Sequence, residues 1–554
     1  RGPFGASGSR RSSSTCYGRR WRRYLPVAAP GSMETAMSAP KRLASLLAEL
    51  PGALLVRGDR DVPITGVEHD SRRVTPGVLF VAIPGFRVDG HSFLADAVAA
   101  GASAVLIERS RVALAESLPP RVAVAAVENT RAALSAAAAW FYGHPSRAIP
   151  VVGVTGTDGK TTTAHLLAAV FESAGLKTGR LGTVDVSIAG RTGSSVQRMT
   201  TPEAPAVQRL LREMVDAGCD VAIVESTSHG LALHRLDHVV YDIAVLTNIT
   251  SDHLDFHGTF EAYREAKGLL FRALDRHPSK GRERFAVVNA DDPSANYVLS
   301  LTTARPVRYG LEAREADVLA RNVVLRPDGS DFRLVTPFGT AETSIRLPAL
   351  FNVANALAAA SAALAFGLDL ATVARGLASC PGVPGRMERI DEGQPFEVIV
   401  DYAHTGEAVR KVLEVLRSVC RGRLIIVVGA AGERDPGRRF GVGRAAAEGA
   451  DFAVFTSEDP RREDPSAIVR EIGSHAERAG RRRNIDFLEI EDRREAIRAA
   501  LQRARPGDIV VIAGKGHEQS MIYGDEERPW DDRQVAREEL RALGFTGPRA
   551  VGSP

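Results

Sequence analysis

Short runs of β-branched and aliphatic residues alternate along this chain with longer stretches of helical periodicity. Val78–Ile83, Ala104–Ile107 and Val122–Val127 read as short buried strands with Ala-rich helical segments between them. Ile149–Val152 predicts a further strand, and a helical pattern runs from Ala164 to about Gly175. Val221–Val224, Ile243–Leu246 and Phe285–Val288 are the next clear strands, and Phe351–Phe366 is a long Ala-rich helix. Beyond Pro381-Gly-Val-Pro-Gly385 come strands at Phe396–Val400, Leu424–Val428, Phe452–Phe455 and Ile509–Ala513, separated by helices. This βαβ rhythm predicts an α/β protein with mainly parallel, doubly wound sheets. Breaks at Gly143-His-Pro-Ser146 and at Pro381–Gly385 divide it into residues 41–146, 147–381 and 382–554, after a leader of residues 1–40. Ligands in such sheets gather at the carboxyl ends of strands, so the polar loops there are where chemistry is expected.

The most informative of these loops is Gly153-Val-Thr-Gly-Thr-Asp-Gly-Lys160-Thr-Thr-Thr163. A glycine-rich turn between strand and helix offers backbone N–H groups and the positive end of a helix dipole, which together hold phosphate. Lys160 adds a point charge, and the Thr161 hydroxyl suits Mg²⁺. The glycines, Gly153, Gly156 and Gly159, depart from the common G-x-x-x-x-G-K-[ST] spacing, since Val154 stands six residues before Lys160. An ordinary glycine-rich turn is the plainer alternative; the lysine and three threonines in phase argue for a bound nucleoside triphosphate. A second carboxylate site follows Val221–Val224 at Glu225-Ser-Thr-Ser-His229, and a third follows Ile243–Leu246 at Thr247-Asn-Ile-Thr-Ser-Asp252-His253-Leu-Asp255-Phe-His257. A polar loop held by its own hydrogen bonds would look similar. Two such clusters beside a phosphate loop point to metal and nucleotide chemistry.

Charge changes the picture little. The formal net charge of +4 comes from residues 1–40, which hold seven arginines against the single acid Glu34; the remaining 514 residues carry 64 basic and 66 acidic groups. The body therefore has no electrostatic footprint for nucleic acid. Four scattered cysteines, with no C-x-x-C pair, indicate neither a zinc site nor a disulfide framework and fit a reducing, cytoplasmic compartment. No apolar window of about 18 residues suggests a membrane span. The Arg- and Ser-rich leader resembles a transit peptide; without a hydrophobic signal core, a disordered or over-extended leader fits better, with Met33 or Met37 as natural starts.

The combination of Gly156-Thr-Asp-Gly-Lys-Thr-Thr162, Glu225-Ser-Thr-Ser-His229, Thr247–Asp255, Asn352-Val-Ala-Asn355, Gly385-Arg386-Met-Glu388 and Asp401-Tyr-Ala-His404 resembles the Mur ligase family, which builds the peptide stem of bacterial cell-wall precursors. The resemblance spans about residues 55 to 545. Asp70-Ser-Arg72, Gly85, Gly432-Glu-Arg434-Asp435, Glu458-Asp-Pro-Arg461 and Gly514-Lys-Gly-His-Glu518 resemble the branch that adds a diamino acid. The resemblance implies a three-domain architecture: a small UDP-binding α/β domain, a central P-loop ATPase domain with a parallel sheet, and a C-terminal Rossmann-like domain. It implies that ATP phosphorylates the D-Glu γ-carboxyl of UDP-MurNAc-L-Ala-D-Glu and that the amine of meso-diaminopimelate, L-lysine or L-ornithine attacks the acyl phosphate. It further implies a cytoplasmic enzyme, acting as a monomer.

On the same resemblance, ATP is held by Gly156, Thr157, Asp158, Gly159, Lys160, Thr161, Thr162, Asn352, Arg386 and Asp401. Ser71, Gly85, Phe86, Arg87, Val88, Thr200, Thr201, Thr227 and Arg235 hold the UDP-sugar dipeptide, and Arg434, Asp459, Arg461, Gly514 and Glu518 hold the incoming amino acid. Two Mg²⁺ ions are implied, with Thr161, Glu225, His253 and Lys267 as ligands, and Lys160, Lys267 and His253 carry catalysis. Lys267 matches a lysine carbamylated by CO₂, which turns a cation into an anionic oxygen ligand; from the residues alone it reads as a helix-surface lysine. Hydrogen bonding in turns is the alternative for Ser71, Thr200 and Thr201.

Several positions depart from the family pattern. Asp158 replaces an asparagine and is expected to face away from phosphate or touch the metal shell. Thr405-Gly406 replaces Thr-Pro, which should loosen that turn. Asp459 replaces an asparagine of the Asp-Asn-Pro-Arg pattern that accompanies diaminopimelate. A carboxylate there disfavours diaminopimelate and favours lysine or ornithine, whereas Arg461 favours diaminopimelate, and the choice stays open. A dipeptide-adding sibling, a folylpolyglutamate-type ligase or a non-catalytic P-loop protein are the competing readings.

Overall fold

The computed structural model describes residues 41–85, 88–194, 200–435 and 437–547. The leader 1–40, Phe86 and Arg87 lie outside the described residues. The chain divides into two compact units, one of residues up to 321 with 333–341 and 357–376, the other of 322–332, 342–356 and 377 onward.

Besides the short antiparallel pair Lys41–Arg42 with Pro63–Ile64, the first unit contains two larger sheets among its described residues. A five-stranded sheet has the order Leu54–Arg57, Ala123–Val127, Ala104–Glu108, Val78–Val81, Gly66–Glu68. Its first strand pairs antiparallel and the others parallel. The central strands are buried on both faces, and Leu43, Leu79, Leu106 and Trp140 pack on one side and Phe80, Leu94 and Val105 on the other. This double burial explains why these strands read as unbroken apolar runs.

Eight adjacent strands of the larger sheet run in the order Arg191–Ser194, Asp185–Ile188, Thr178–Leu181, Val221–Glu225, Val151–Thr155, Ile243–Leu246, Phe285–Asn289, Arg305–Gly310. From Thr178–Leu181 to Arg305–Gly310 these neighbours are parallel, and the first two strands form an antiparallel extension. Tyr241, Leu246, Leu270 and Phe271 fill its core. The strand before the phosphate loop starts at Val151 and reaches Thr155, and the helix after it starts at Lys160, four residues before the sequence pattern begins. Three successive threonines are poor helix formers by propensity, but Gly159, at φ 84°, supplies the left-handed residue that opens the helix.

The second unit holds a six-stranded sheet ordered Glu388–Arg389, Glu397–Asp401, Ile509–Ala513, Leu424–Val428, Phe452–Phe455, Phe487–Glu489. Only the first pair is antiparallel. Leu413, Val442 and Ile472 cover one face, while Ile497, Val535 and Leu540 cover the other, so the sheet is doubly wound. The Thr405-Gly406 turn is tight rather than loose. The Thr405 hydroxyl caps the helix Gly406–Val419 through the Ala408 N–H, and a Cβ at Gly406 would lie 2.6 Å from the Gly441 Cα. Glycine there lets two helices approach closely.

Candidate active site

Three adjacent strands end side by side in the first unit: Val221–Glu225, Val151–Thr155 and Ile243–Leu246. Their carboxyl ends place Glu225, the phosphate loop and the Thr247–His257 segment around one point. The loop is held by its neighbour. Thr157 N–H donates to Asn248 O (2.8 Å), Asp158 N–H donates to Asn248 Oδ1 (3.0 Å), and Thr247 Oγ1 donates to Asp158 O (2.6 Å). Gly156, at φ 151°, has no room for a side chain: a Cβ would lie 1.8 Å from Thr247 Oγ1. Asp158 is exposed.

Two ammonium groups converge on this loop. Lys160 Nζ donates to Gly156 O (2.9 Å) and Thr157 O (2.8 Å), and Lys267 Nζ donates to the same Gly156 O at 2.6 Å. Lys267 is not a surface lysine. It projects from Phe260–Arg276, a helix capped by the Thr259 hydroxyl, is 1% exposed, and lies 4.4 Å from the Tyr263 ring centre. Burial, and then the Lys160 charge, hold its amine well below the usual lysine range.

Glu225 is 1% exposed, and hydroxyls surround its carboxylate. Thr161 Oγ1 and Thr183 Oγ1 each donate to Oε2 at 2.9 Å, and Thr183 N–H donates to Oε1 at 3.1 Å. A Cβ at Gly182 would stand 2.1 Å from Oε1. A carboxylate with hydroxyl oxygens is a hard donor set that fits Mg²⁺. Among the described residues no group of three or more His, Cys, Asp and Glu side chains could hold a metal alone, so an ion at Thr161 and Glu225 would complete its shell from phosphate and water.

His253 is half exposed and lies in an aromatic cluster: its ring is 4.8 Å from His229 and 6.3 Å from Tyr263, and His229 stacks on Phe256 at 4.2 Å. Burial, with His253 and His257 beside it, pushes His229 down to about 4. The neighbouring threonines form a chain. Thr200 Oγ1 lies 2.9 Å from Thr183 Oγ1 and donates to it, since the Thr183 hydrogen is taken by Glu225; Thr201 Oγ1 donates to Glu225 O (2.9 Å), and Thr227 Oγ1 donates to Thr201 Oγ1 (3.0 Å). Arg235 pairs with Glu203 (2.7 Å) and donates to Thr201 O (2.9 Å). Ser71 opens a short 3-10 turn after Asp70, and Gly85 N–H donates to Val88 O (3.1 Å). Thr183 and Glu203 escaped the sequence reading, because isolated Thr and Glu residues carry no signal until the strand order brings them together.

In the second unit, Asn352 Nδ2 donates to Pro348 O (2.7 Å), and Arg386 lies 4.5 Å from the Tyr402 ring centre. Asp401 is buried, accepts from the N–H groups of Met387 (2.7 Å) and Ala403 (2.8 Å), and has its carboxyl pushed up by burial. The loops after Leu424–Val428, Phe452–Phe455 and Ile509–Ala513 carry Arg434, Asp459–Arg461 and Gly514–Glu518. Lys515, 1% exposed, donates to Asp459 Oδ1 at 2.8 Å and pairs with Glu518 Oε2 at 2.5 Å; Ile522 N–H also donates to Asp459 Oδ1 (3.0 Å). Asp459 is thus an internal counterion. Burial, then the charges of Arg461 and Arg438, pull Arg434 below the usual arginine range. Glu458 is buried, its Oε2 has no hydrogen-bond partner, and burial pushes its carboxyl up to about 7.

Three family models match in chain order: the Mur ligase family catalytic domain over residues 63–142, the Mur ligase middle domain over 154–363 and the Mur ligase glutamate ligase domain over 385–516. A UDP-N-acetylmuramyl-tripeptide synthetase of Roseiflexus sp. (strain RS-1) is 48% identical over 495 residues, covering 87% of this chain and 96% of the relative. The chain belongs to the Mur ligase family. Another Mur ligase similar to it, a UDP-N-acetylmuramoyl-L-alanyl-D-glutamate--2,6-diaminopimelate ligase of Geobacillus thermodenitrificans, is 44% identical over 90% of this chain and 99% of the relative. A solved structure of a ligase of that same description has a TM-score of 0.64 at 30% identity, over 92% of this chain and 100% of that one. The three-domain α/β architecture implied by the motifs is that of the family.

Proposed function

We propose that this Mur ligase uses ATP to join a diamino acid to the D-Glu γ-carboxyl of UDP-MurNAc-L-Ala-D-Glu, in peptidoglycan precursor synthesis. The observation that carries the reading is the convergence of Lys160 and Lys267 on one loop carbonyl, beside the Thr161–Glu225 pair. Two anions, a triphosphate and a carboxylate, must be brought together, and positive charge in a water-poor pocket serves that purpose. Mg²⁺ held by Thr161 and Glu225 would supply further charge neutralisation. Lys160 orients the phosphates; Gly159 and the first turn of the helix offer N–H groups to them. The second cation site would use His253 and a carbamate on Lys267. A protonated Lys267 opposes a cation, but its lowered pKa favours the neutral amine that reacts with CO₂.

Thr200, Thr201, Thr227, Arg235, Ser71 and the Gly85–Val88 turn, with Phe86 and Arg87, are read as the site for the nucleotide dipeptide. Asn352, Arg386 and Asp401 are read as further ATP contacts. Domain limits at 41–146, 147–381 and 382–554, a cytoplasmic location and a monomeric state belong to the same reading.

For the amine we favour 2,6-diaminopimelate. Lys515 neutralises Asp459, which removes the repulsion expected from its charge, and the crowded guanidiniums of Arg434 and Arg461 suit a second carboxylate. Ligation assays with diaminopimelate, lysine and ornithine, each read by product mass, test this choice. Oxygen-18 in the acceptor carboxyl should appear in released phosphate. Product forming without that transfer refutes the acyl-phosphate route, and ATP turnover indifferent to both substrates favours a P-loop protein of another kind.

A further inference from the structure

Beneath the loops that carry Asp459–Arg461 and Gly514–Glu518 lies a buried ion pair that no step above uses. Arg493 is the first residue of the helix Arg493–Arg503, and Asp532 is the first of Asp532–Ala542. Both side chains are 0% exposed. Arg493 Nε donates to Asp532 Oδ1 (2.8 Å) and Nη2 donates to Oδ2 (2.7 Å). The remaining donors reach main chain: Nη2 to Ala513 O (2.8 Å) and Nη1 to Ser457 O (3.2 Å). Ala513 directly precedes Gly514, and Ser457 directly precedes Glu458. Trp530 Nε1 also donates to Asp532 Oδ1 (2.8 Å), a third hydrogen bond that holds the carboxylate.

Stability alone is a weak account of this arrangement. A buried pair is often matched by apolar side chains of similar volume, and a cation in the first turn opposes the helix dipole. Geometry is a stronger account. A guanidinium carries five donors in a rigid plane, and here one fork joins two strand ends and a helix start. Above it, the Lys515–Asp459 pair and the Arg461 N–H to Ile522 O bond (3.0 Å) tie the same loops together a second time.

We propose that Arg493 and Asp532 form a positioning pair that sets the separation of the two amino-acid-binding loops, and so the distance between Arg461, which takes a carboxylate, and Glu518, which takes an ammonium. The assignment of those two contacts rests on the function proposed above; the strut does not. Arg493→Lys keeps the charge but cannot span both carbonyls and both carboxylate oxygens. Arg493→Met/Asp532→Leu removes both charges and leaves neither orphaned. Each variant should raise the KM for the diamino acid by about tenfold or more, as loss of two buried hydrogen bonds implies, with the KM values for ATP and the nucleotide dipeptide within about twofold of wild type. In hydrogen exchange on the unliganded protein, the amides of Glu458, Asp459 and Arg461 and those of 514–518 should lose protection together in Arg493→Lys while the strands keep theirs. A folded variant with a wild-type KM for the diamino acid, or equal rises for all three substrates, overturns the proposal, as does unchanged exchange. If the wild-type protein ligates no diamino acid, the proposed function falls, and the exchange result still decides the strut.

Discussion

Lys267→Met separates the structural from the chemical role of that lysine. The substitution removes a hydrogen bond from a charged donor to Gly156 O, worth about 1.5–3 kcal/mol. It does not orphan the acceptor, because Lys160 Nζ still lies 2.9 Å away. It also removes a buried cation beside another cation, and replacing buried charge by apolar volume is neutral or stabilising by about 1–4 kcal/mol. The two effects offset, so unfolding free energy should stay within about 2 kcal/mol of wild type. The pH dependence has a definite sign. The folded-state pKa lies below the unfolded 10.5, so between the two values the unfolded chain binds more protons and stability rises with pH. The variant should lose that slope. Ligation, read by phosphate release and product mass, should fall by at least about a thousandfold, more than one missing electrostatic contact costs. Near-wild-type turnover in Lys267→Met would remove the lysine, and its carbamate, from the mechanism. Unfolding at room temperature would instead show that the ammonium is a structural anchor.

Gly156→Ala should abolish ATP binding, measured by calorimetry, because its Cβ would meet Thr247 Oγ1 at 1.8 Å; retained affinity would mean that the loop does not hold phosphate in this conformation. Asp459→Asn should change the ratio of kcat/KM for diaminopimelate over lysine by less than about tenfold, since the charge it removes is already paired; a hundredfold swing would show Asp459 facing the substrate. Burial pushes the Glu458 carboxyl up to about 7 from its ordinary 4.5. A raised acid contributes stability that is present below about 4.5 and is lost as pH rises through about 7, by about 3 kcal/mol in all. Denaturant titrations at pH 5 and pH 8 should show this loss in wild type and little of it in Glu458→Gln.

Much of the fold was legible because the central strands are buried on both faces and so read as apolar runs. Ile243–Leu246, Leu424–Val428, Phe452–Phe455 and Ile509–Ala513 are the same in sequence pattern and structure. The strands the pattern missed, Thr178–Leu181, Asp185–Ile188, Arg191–Ser194 and Val318–Arg326 among them, mix charged and apolar residues. Their hydrophobic period is interrupted by pairs such as Arg180 with Asp185, buried and joined at 2.8 Å. A salt bridge across neighbouring strands looks, in one dimension, like two polar loop residues.

The site was legible to the extent that its chemistry sits in single motifs, and obscure where it depends on who neutralises whom. The phosphate loop needs only its own glycines, Lys160 and Thr161, and the spacing exposes it. Lys267 is different: helical periodicity gives its face, but the carbonyl it meets belongs to Gly156, 111 residues earlier. Asp459 shows the same gap with an opposite outcome. Its substitution for an amide is plain in the sequence, and a free carboxylate there would repel a substrate carboxylate. Lys515, 56 residues later, already holds that charge at 2.8 Å and shares itself with Glu518. The field an incoming amino acid meets is therefore that of the whole group: Glu458, Asp459 and Glu518 against Lys515, with Arg434 and Arg461 alongside. A specificity argument made on Asp459 alone omits Lys515, because the partner that pairs with it lies on another strand end.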